Sequence, residues 1–175
     1  LVPARLDGDP KNWLLLRKDR GREGALRYAP MQSTTAETLP QGDGWVYEPK
    51  WDGYRAIVTV SGGEVRLMSR RDNDLTERFK EVARAAQLGI RSAEAVLDAE
   101  ICALDERGHA QFSLLQDGSG TLALVLFDLL ELDSEPLIDL PLEERRERLE
   151  RLVGGSPNVI VSPQFDDGEA LLRAA

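Results

Sequence analysis

The stretch from Thr121 to Leu130, TLALVLFDLL, is almost uninterrupted in apolar character. A strand that faced water on one side would alternate polar and apolar residues, so this run reads as a strand covered on both faces, at the centre of a layered domain. It falls far short of the ~20 apolar residues that a membrane helix needs. Further strand-like segments surround it. WVYEPKW and YRAIVTV are separated by Asp52-Gly53, a turn dipeptide; Ser61-Gly62-Gly63 makes the next reversal, and EVRLMS follows with alternating character. AVLDAEICAL and PNVIVS supply two more strands, and NWLLLR a short one near the start.

Between these strands the period changes. Leu75, Phe79, Val82, Ala83 and Ala86 recur at helical spacing, with Asp74 and Glu77 in the form of a capping box. A second helix is expected from about Pro141 to Val153, with Pro in its first turn and Glu144/Arg148 and Glu147/Arg151 paired one turn apart. The EERRERLER run within it reads as a solvated face. DDGEALLRAA opens a third helix. Strands in runs, with few helices between them, indicate an α+β class with mainly antiparallel sheets rather than a βαβ alternation.

Composition narrows the chemistry. The 175 residues suffice for one sizeable core, and 42% hydrophobic with 30% charged is ordinary globular usage. A single cysteine, Cys102, excludes an internal disulfide framework and a CxxC zinc site. A single histidine, His109, argues against His-rich metal sites and a Ser-His-Asp triad. The net charge is −9, from 22 basic against 31 acidic residues, which as a whole repels nucleic acid. Its distribution is uneven: Lys50, Arg55, Arg66, Arg70 and Arg71 cluster, whereas Arg107 is the only Lys or Arg between Ala93 and Leu140. A local positive site is therefore compatible with an acidic molecule. The opening LVPARLDGDPKNW has no basic-then-apolar export pattern.

The most informative stretch is Glu48-Pro49-Lys50-Trp51-Asp52-Gly53-Tyr54-Arg55. Its plain reading is a hairpin with solvated flanks. The same residues also suit a nucleophile: a lysine at a strand end, a glycine that lets a phosphate approach the backbone, and an arginine beyond the turn. A lysine amine attacking phosphorus gives a phosphoramidate.

Lys50-x-Asp52-Gly53-x-Arg55 resembles the KxDGxR motif of the covalent nucleotidyltransferases. Three further elements follow in that family's order. Ser69-Arg70 is similar to its SRxG element, Val96-Leu97-Asp98-Ala99-Glu100-Ile101 to its LDGEI strand, and Leu126-Phe127-Asp128-Leu129-Leu130 to its VFDLL strand. EPKWDGYRAI and PLEERRERLERLV resemble the ligase domain of the bacterial multidomain end-joining ligase. PKNWLLLRKDR resembles the end of the 3′-phosphoesterase domain that precedes it. The resemblance implies an ATP-grasp-like DNA ligase adenylation domain over residues 45–175, a linker over 21–44, and the tail of a preceding domain over 1–20.

It also implies roles. Lys50 would attack the α-phosphate of ATP to form lysyl-AMP, and Arg55 and Arg70 would hold phosphate and ribose oxygens. Glu100 would accept from a ribose hydroxyl and Glu48 from the adenine amine, while Phe127 would stack on adenine. Mg²⁺ would offset the triphosphate charge; no residue is assigned to it. AMP would pass to a DNA 5′-phosphate to seal nicked or broken duplexes in non-homologous end joining, with an end-binding protein and attached polymerase or phosphoesterase domains as partners and no membrane. The bacterial cytoplasm and its nucleoid would be the setting.

Each role has a rival from the residues themselves: Phe127 as core, Glu100 as a solvent-facing strand residue, Arg70 paired with Asp72 on the surface. Asp98 and Asp128 read equally as structural or functional, Cys102 as inert packing and His109 as exposed. This chain has Ser69-Arg70-Arg71-Asp72-Asn73 where related ligases often have SRNG, and Ala99 where they have glycine. The family's EGV and KxK strands and its oligonucleotide-binding domain do not follow, so the expectation is a C-terminally incomplete domain. The competing functions are an RNA ligase or capping guanylyltransferase, and a non-catalytic remnant acting as a protein-binding module.

Overall fold

The structure is a computed structural model. It describes residues 15–16, 28–31, 33–34, 38–40, 42 and 44–174. Most of the segment read as the tail of a preceding domain lies outside the described residues. The chain divides into two units, one gathering Leu1–Asp19, Met31–Lys50 and Ser162–Ala175, the other Arg20–Pro30 and Trp51–Val161.

In the smaller unit, β1 (Leu15–Leu16) pairs antiparallel with β2 (Ser33–Thr34), and helix α4 spans Gly168–Ala174. In the larger unit the elements run β3 (Gly53–Ser61), β4 (Glu64–Ser69), α1 (Lys80–Gly89), β5 (Glu94–Leu104), α2 (Phe112–Asp117), β6 (Thr121–Leu132), β7 (Glu135–Pro136), α3 (Leu142–Leu152) and β8 (Val159–Val161). They build a sheet ordered β4-β3-β5-β6-β7, antiparallel throughout, with β8 added parallel to β6. The parallel pair makes the sheet mixed. The apolar run occupies β6 as its composition demands: Leu124, Val125, Leu126 and Leu129 have no exposure.

Strand alternation then sorts the side chains. Ala56, Val58 and Val60 of β3, Leu97, Ala99 and Ile101 of β5, and Leu124, Leu126 and Leu129 of β6 share one core with Val82 and Ala86 of α1 and Leu149 of α3. The intervening residues, Arg55 and Ile57 on β3 and Val96, Asp98 and Glu100 on β5, belong to the opposite face. There Ile57 and Leu130 pack with Tyr28, flanked by Val96 and Ile138. Tyr28 donates to a carboxylate oxygen of Glu131 at 2.6 Å. Tyr28 and Pro30 are therefore buried, inside the segment read as linker.

Several local expectations change. Gly62 and Gly63, at φ +58° and +82°, do make the β3–β4 reversal, as a two-residue hairpin turn requires. WVYEPKW, however, forms no strand; Tyr47 alone makes an isolated bridge, to Phe165. The first long helix starts at Lys80 rather than near Leu75. The preceding residues are tied to β4 instead: Leu75 N–H donates to the Leu67 carbonyl at 2.8 Å and Leu67 N–H to Thr76 Oγ1 at 3.0 Å. Asp74 caps this turn through Thr76 N–H at 2.8 Å, not through a box with Glu77. Helix α2 was not legible because six residues are too few to show a period.

Candidate active site

In the smaller unit, Tyr47 and Phe165 exchange backbone hydrogen bonds of 2.8 Å, and the Tyr47 hydroxyl donates to the Pro40 carbonyl at 2.7 Å. Gly168 completes this packing, since a Cβ there would fall 2.5 Å from the Tyr47 ring. Glu48, next in the chain, is buried and accepts from Gln164 Nε2 at 2.8 Å. Lys50 is half-buried and is the last residue of this unit's central segment.

In the larger unit, Asp52 and Gly53 do not form the expected hairpin turn. Gly53 is the first residue of β3, facing Cys102 in the register with β5. Its lack of a side chain is what permits the pairing, because a Cβ would lie 2.1 Å from the Ile101 carbonyl oxygen. The Asp52 carboxylate accepts from the backbone N–H of Phe112 at 3.1 Å, satisfying the first amide of α2. Both residues of the turn dipeptide thus hold neighbouring elements in place.

Two residues further on, Arg55 sits opposite Glu100 in the β3–β5 register. Its Nε and Nη2 donate to the two oxygens of Asp98 at 2.6 and 2.7 Å. Its guanidinium carbon lies 4.5 Å from the centre of the Phe127 ring, a cation–π stack. Arg55, Asp98 and Phe127 therefore form one group, and Phe127 lies outside both clusters of the hydrophobic core. Phe127 is only partly buried, as is Glu100. A cation locked against an aromatic ring, with a carboxylate-bearing residue beside it, offers a flat apolar surface and charged groups for a polyphosphate ester of a ring system.

Helix α3 brings two further side chains to this part of β6, from the run that reads in sequence as a solvated face. Arg145 and Arg146 of α3 are buried, at 6% and 4% exposure. Arg145 grips both oxygens of Asp128 at 2.8 Å and donates also to the Leu140 carbonyl. Arg146 Nη1 donates to the Phe127 carbonyl at 2.8 Å. Their signal was Asp128 itself: a carboxylate inside an apolar strand needs a buried cation, and the Arg-rich run downstream supplies one.

Arg70 is exposed, after the end of β4, and among the described residues it joins neither Arg55 nor Phe127. The turn that carries it is closed by Ser69 and Asn73, with Ser69 N–H to the Asn73 carbonyl at 2.8 Å and Asn73 N–H to Ser69 Oγ at 3.0 Å. Asp72 occupies the left-handed region at φ +61°. Cys102 is buried, and burial pushes its thiol well above the usual range, with Glu100 and then Asp52 adding to it. His109 is exposed on a turn organised by Asp105. Among the described residues no three His, Cys, Asp or Glu side chains cluster as a metal site, and Asp98 and Asp128 are engaged by arginines. No described helix is long and apolar enough to cross a membrane.

Comparison with known proteins decides the family. The family model described as "ATP dependent DNA ligase domain" matches residues 28–171, from the buried Tyr28 into α4. The chain belongs to the ATP-dependent DNA ligase domain family. It is 42% identical over 133 residues to the multifunctional non-homologous end joining protein LigD of Pseudomonas aeruginosa, covering 73% of this chain and 16% of that protein. It is 34% identical over 153 residues to a DNA ligase of Pyrobaculum neutrophilum, covering 77% of this chain and 26% of that one. Among solved structures, the ligase domain of LigD from Mycobacterium tuberculosis matches with TM-score 0.62 and 33% identity, over 71% of this chain and 41% of that one. A mycobacterial DNA ligase D complexed with ATP and MES matches with TM-score 0.61 and 32% identity, over the same shares. As in that fold, this ligase-family chain is a mixed sheet with flanking helices, and it spans a minor part of its curated relatives.

Proposed function

We propose that this chain carries adenylation chemistry of an ATP-dependent DNA ligase that serves end joining. The observation that carries the reading is the KxDGxR motif within a ligase-family match, with Arg55 of that motif fixed against Asp98 and Phe127. Lys50, uncharged at the moment of attack, forms a bond from its amine nitrogen to the α-phosphorus of ATP. The bond to the bridging oxygen breaks, pyrophosphate leaves, and the amine proton passes to solvent. Phe127 offers its ring to the adenine, Arg55 and Arg70 their guanidinium groups to phosphate and ribose oxygens, Glu100 its carboxylate to the ribose, and Glu48 its carboxylate to the adenine amine. AMP then passes to a DNA 5′-phosphate, and a 3′-hydroxyl displaces it.

A ligase of this kind uses broken or nicked duplex DNA, and the relative named for non-homologous end joining supports an end-joining setting. In this reading an end-binding protein and attached end-processing domains are its partners. The described residues do not fit a magnesium cage built by protein side chains. No step above is routed through magnesium. Incubation with ATP labelled at the α-phosphate should leave one acid-labile AMP on the wild-type chain and none on Lys50→Ala. An adduct retained by the variant would overturn the assignment of Lys50, and labelling by GTP in preference to ATP would favour a capping enzyme.

A further inference from the structure

We infer that Arg146, supported by Arg145, is a positioning residue that sets the aim of the Phe127 ring and thereby the seat of the nucleotide base; this rests on the adenylation reading above. The β5–β6 register passes from Asp98↔Asp128 directly to Ala99↔Leu126, so Phe127 is skipped and forms a bulge. A bulge re-aims the side chain it carries and takes its backbone out of the ladder. The other edge of β6 is equally interrupted at this point. Strand β8 pairs with β6 only as far as Leu126, and β7 begins opposite Leu132 and Glu131. Left to itself, a bulge between two gaps in pairing would be the loosest part of the strand.

Helix α3 fills that gap with charge rather than with apolar packing. Arg146 Nη1 holds the Phe127 carbonyl at 2.8 Å, and Arg145 holds both Asp128 oxygens at 2.8 Å. Leu149 already supplies the helix with a fully buried apolar contact to the core. Burying two guanidinium groups beside it is costly unless their hydrogen bonds and an opposite charge offset the desolvation, and here Asp128 and the Phe127 carbonyl receive them. What they hold is the carbonyl of the bulged residue itself and the side chain of the residue that follows it. On the ring itself, Asp98 holds Arg55 and Arg55 lies 4.5 Å from the ring centre. The ring is thus set through its own carbonyl by one arginine and on one face by another.

The test compares the wild-type chain with Arg146→Met, which keeps the stem and removes the donors, and Arg146→Lys, which keeps one cationic donor group. Protein carrying para-fluorophenylalanine gives fluorine NMR signals from Phe79, Phe112, Phe127 and Phe165, with Phe127 assigned through Phe127→Leu. The expected result is that Arg146→Met moves or broadens the Phe127 signal alone and Arg146→Lys restores part of it. In parallel, ATP and a ribose triphosphate lacking the base are titrated by calorimetry. ATP should bind the methionine variant about tenfold more weakly, the loss of one good stacking contact, while the base-free ligand changes less than about twofold.

An unmoved Phe127 signal, or movement of all the signals together, overturns the inference. So does equal weakening of both ligands. A wild-type chain that binds neither ligand overturns the adenylation reading instead, and the fluorine comparison then still decides whether Arg146 positions the ring.

Discussion

Replacing Gly53 by alanine probes why the motif's glycine is needed. The new Cβ would stand 2.1 Å from the Ile101 carbonyl oxygen, 2.9 Å from the carbon that bears it and 3.0 Å from Glu100 Cγ. Carbon-to-oxygen contacts settle at about 3.3 Å, so β3 and β5 must part by roughly 1.2 Å at this end. The nearest obstacle is backbone, so no rotamer relieves it. Overpacking of this kind costs about 1–3 kcal/mol, and weakening the pairings Gly53↔Cys102 and Tyr54↔Ile101 adds about 1 kcal/mol. A total near 3 kcal/mol follows, which lowers the midpoint of thermal unfolding by about 6–12 °C for a chain of this size. The assay is urea and thermal unfolding of Gly53→Ala beside Gly44→Ala, whose new methyl would meet nothing within 4 Å. The control should be unchanged or slightly more stable. Two variants that unfold within about 0.5 kcal/mol of each other would refute the steric reasoning, and the glycine would then need a different account.

Two further outcomes follow from turns. Asp72→Gly places the unrestricted residue where φ is +61°, and should raise stability by about 0.5–1 kcal/mol in the same unfolding assay; a loss would show that Asp72 makes contacts worth more than its strain. Asp105 accepts from the His109 and Arg107 amides and from Gln111 Nε2, and these bonds, the His109 amide first, hold its carboxyl below the ordinary range. A carboxyl depressed in the folded state stabilises it above the unfolded value, near pH 4, and that contribution fades as pH falls through the folded value. The stability gap between wild type and Asp105→Asn should therefore be present at about pH 5 and shrink below about pH 4; a gap that widens with acid would reverse the sign.

The strands could be read because their evidence is local. An apolar run such as TLALVLFDLL or a glycine pair such as Gly62-Gly63 leaves few alternatives for the backbone. The motif residues Arg55 and Phe127 were legible as a pattern, and the structure joins them. Asp98 as the holder of Arg55 was not, since the partners lie 43 residues apart and meet across two strands. The helical period does not reveal the start of α1, because Asp74, Leu75 and Thr76 direct their hydrogen bonds to a turn and to β4. Arg145 and Arg146 looked like any charged helix face. Only a neighbour 17 or 19 positions upstream explains why they are buried. Asp52-Gly53 carried a strong hairpin signal, yet Asp52 serves a distant amide and Gly53 a close crossing of strands, so tertiary demand overrode turn chemistry.

Tyr28 has a practical corollary. Its ring lies on Ile57 and Leu130, on the sheet face that also carries Arg55, and its phenol donates to Glu131. Protein trimmed to start at Trp45, where the strand pattern invites the scissors, would throw away that plug. The bared leucine and isoleucine would then be wetted beside the proposed nucleotide seat, and the shortened product should come out sticky rather than merely smaller.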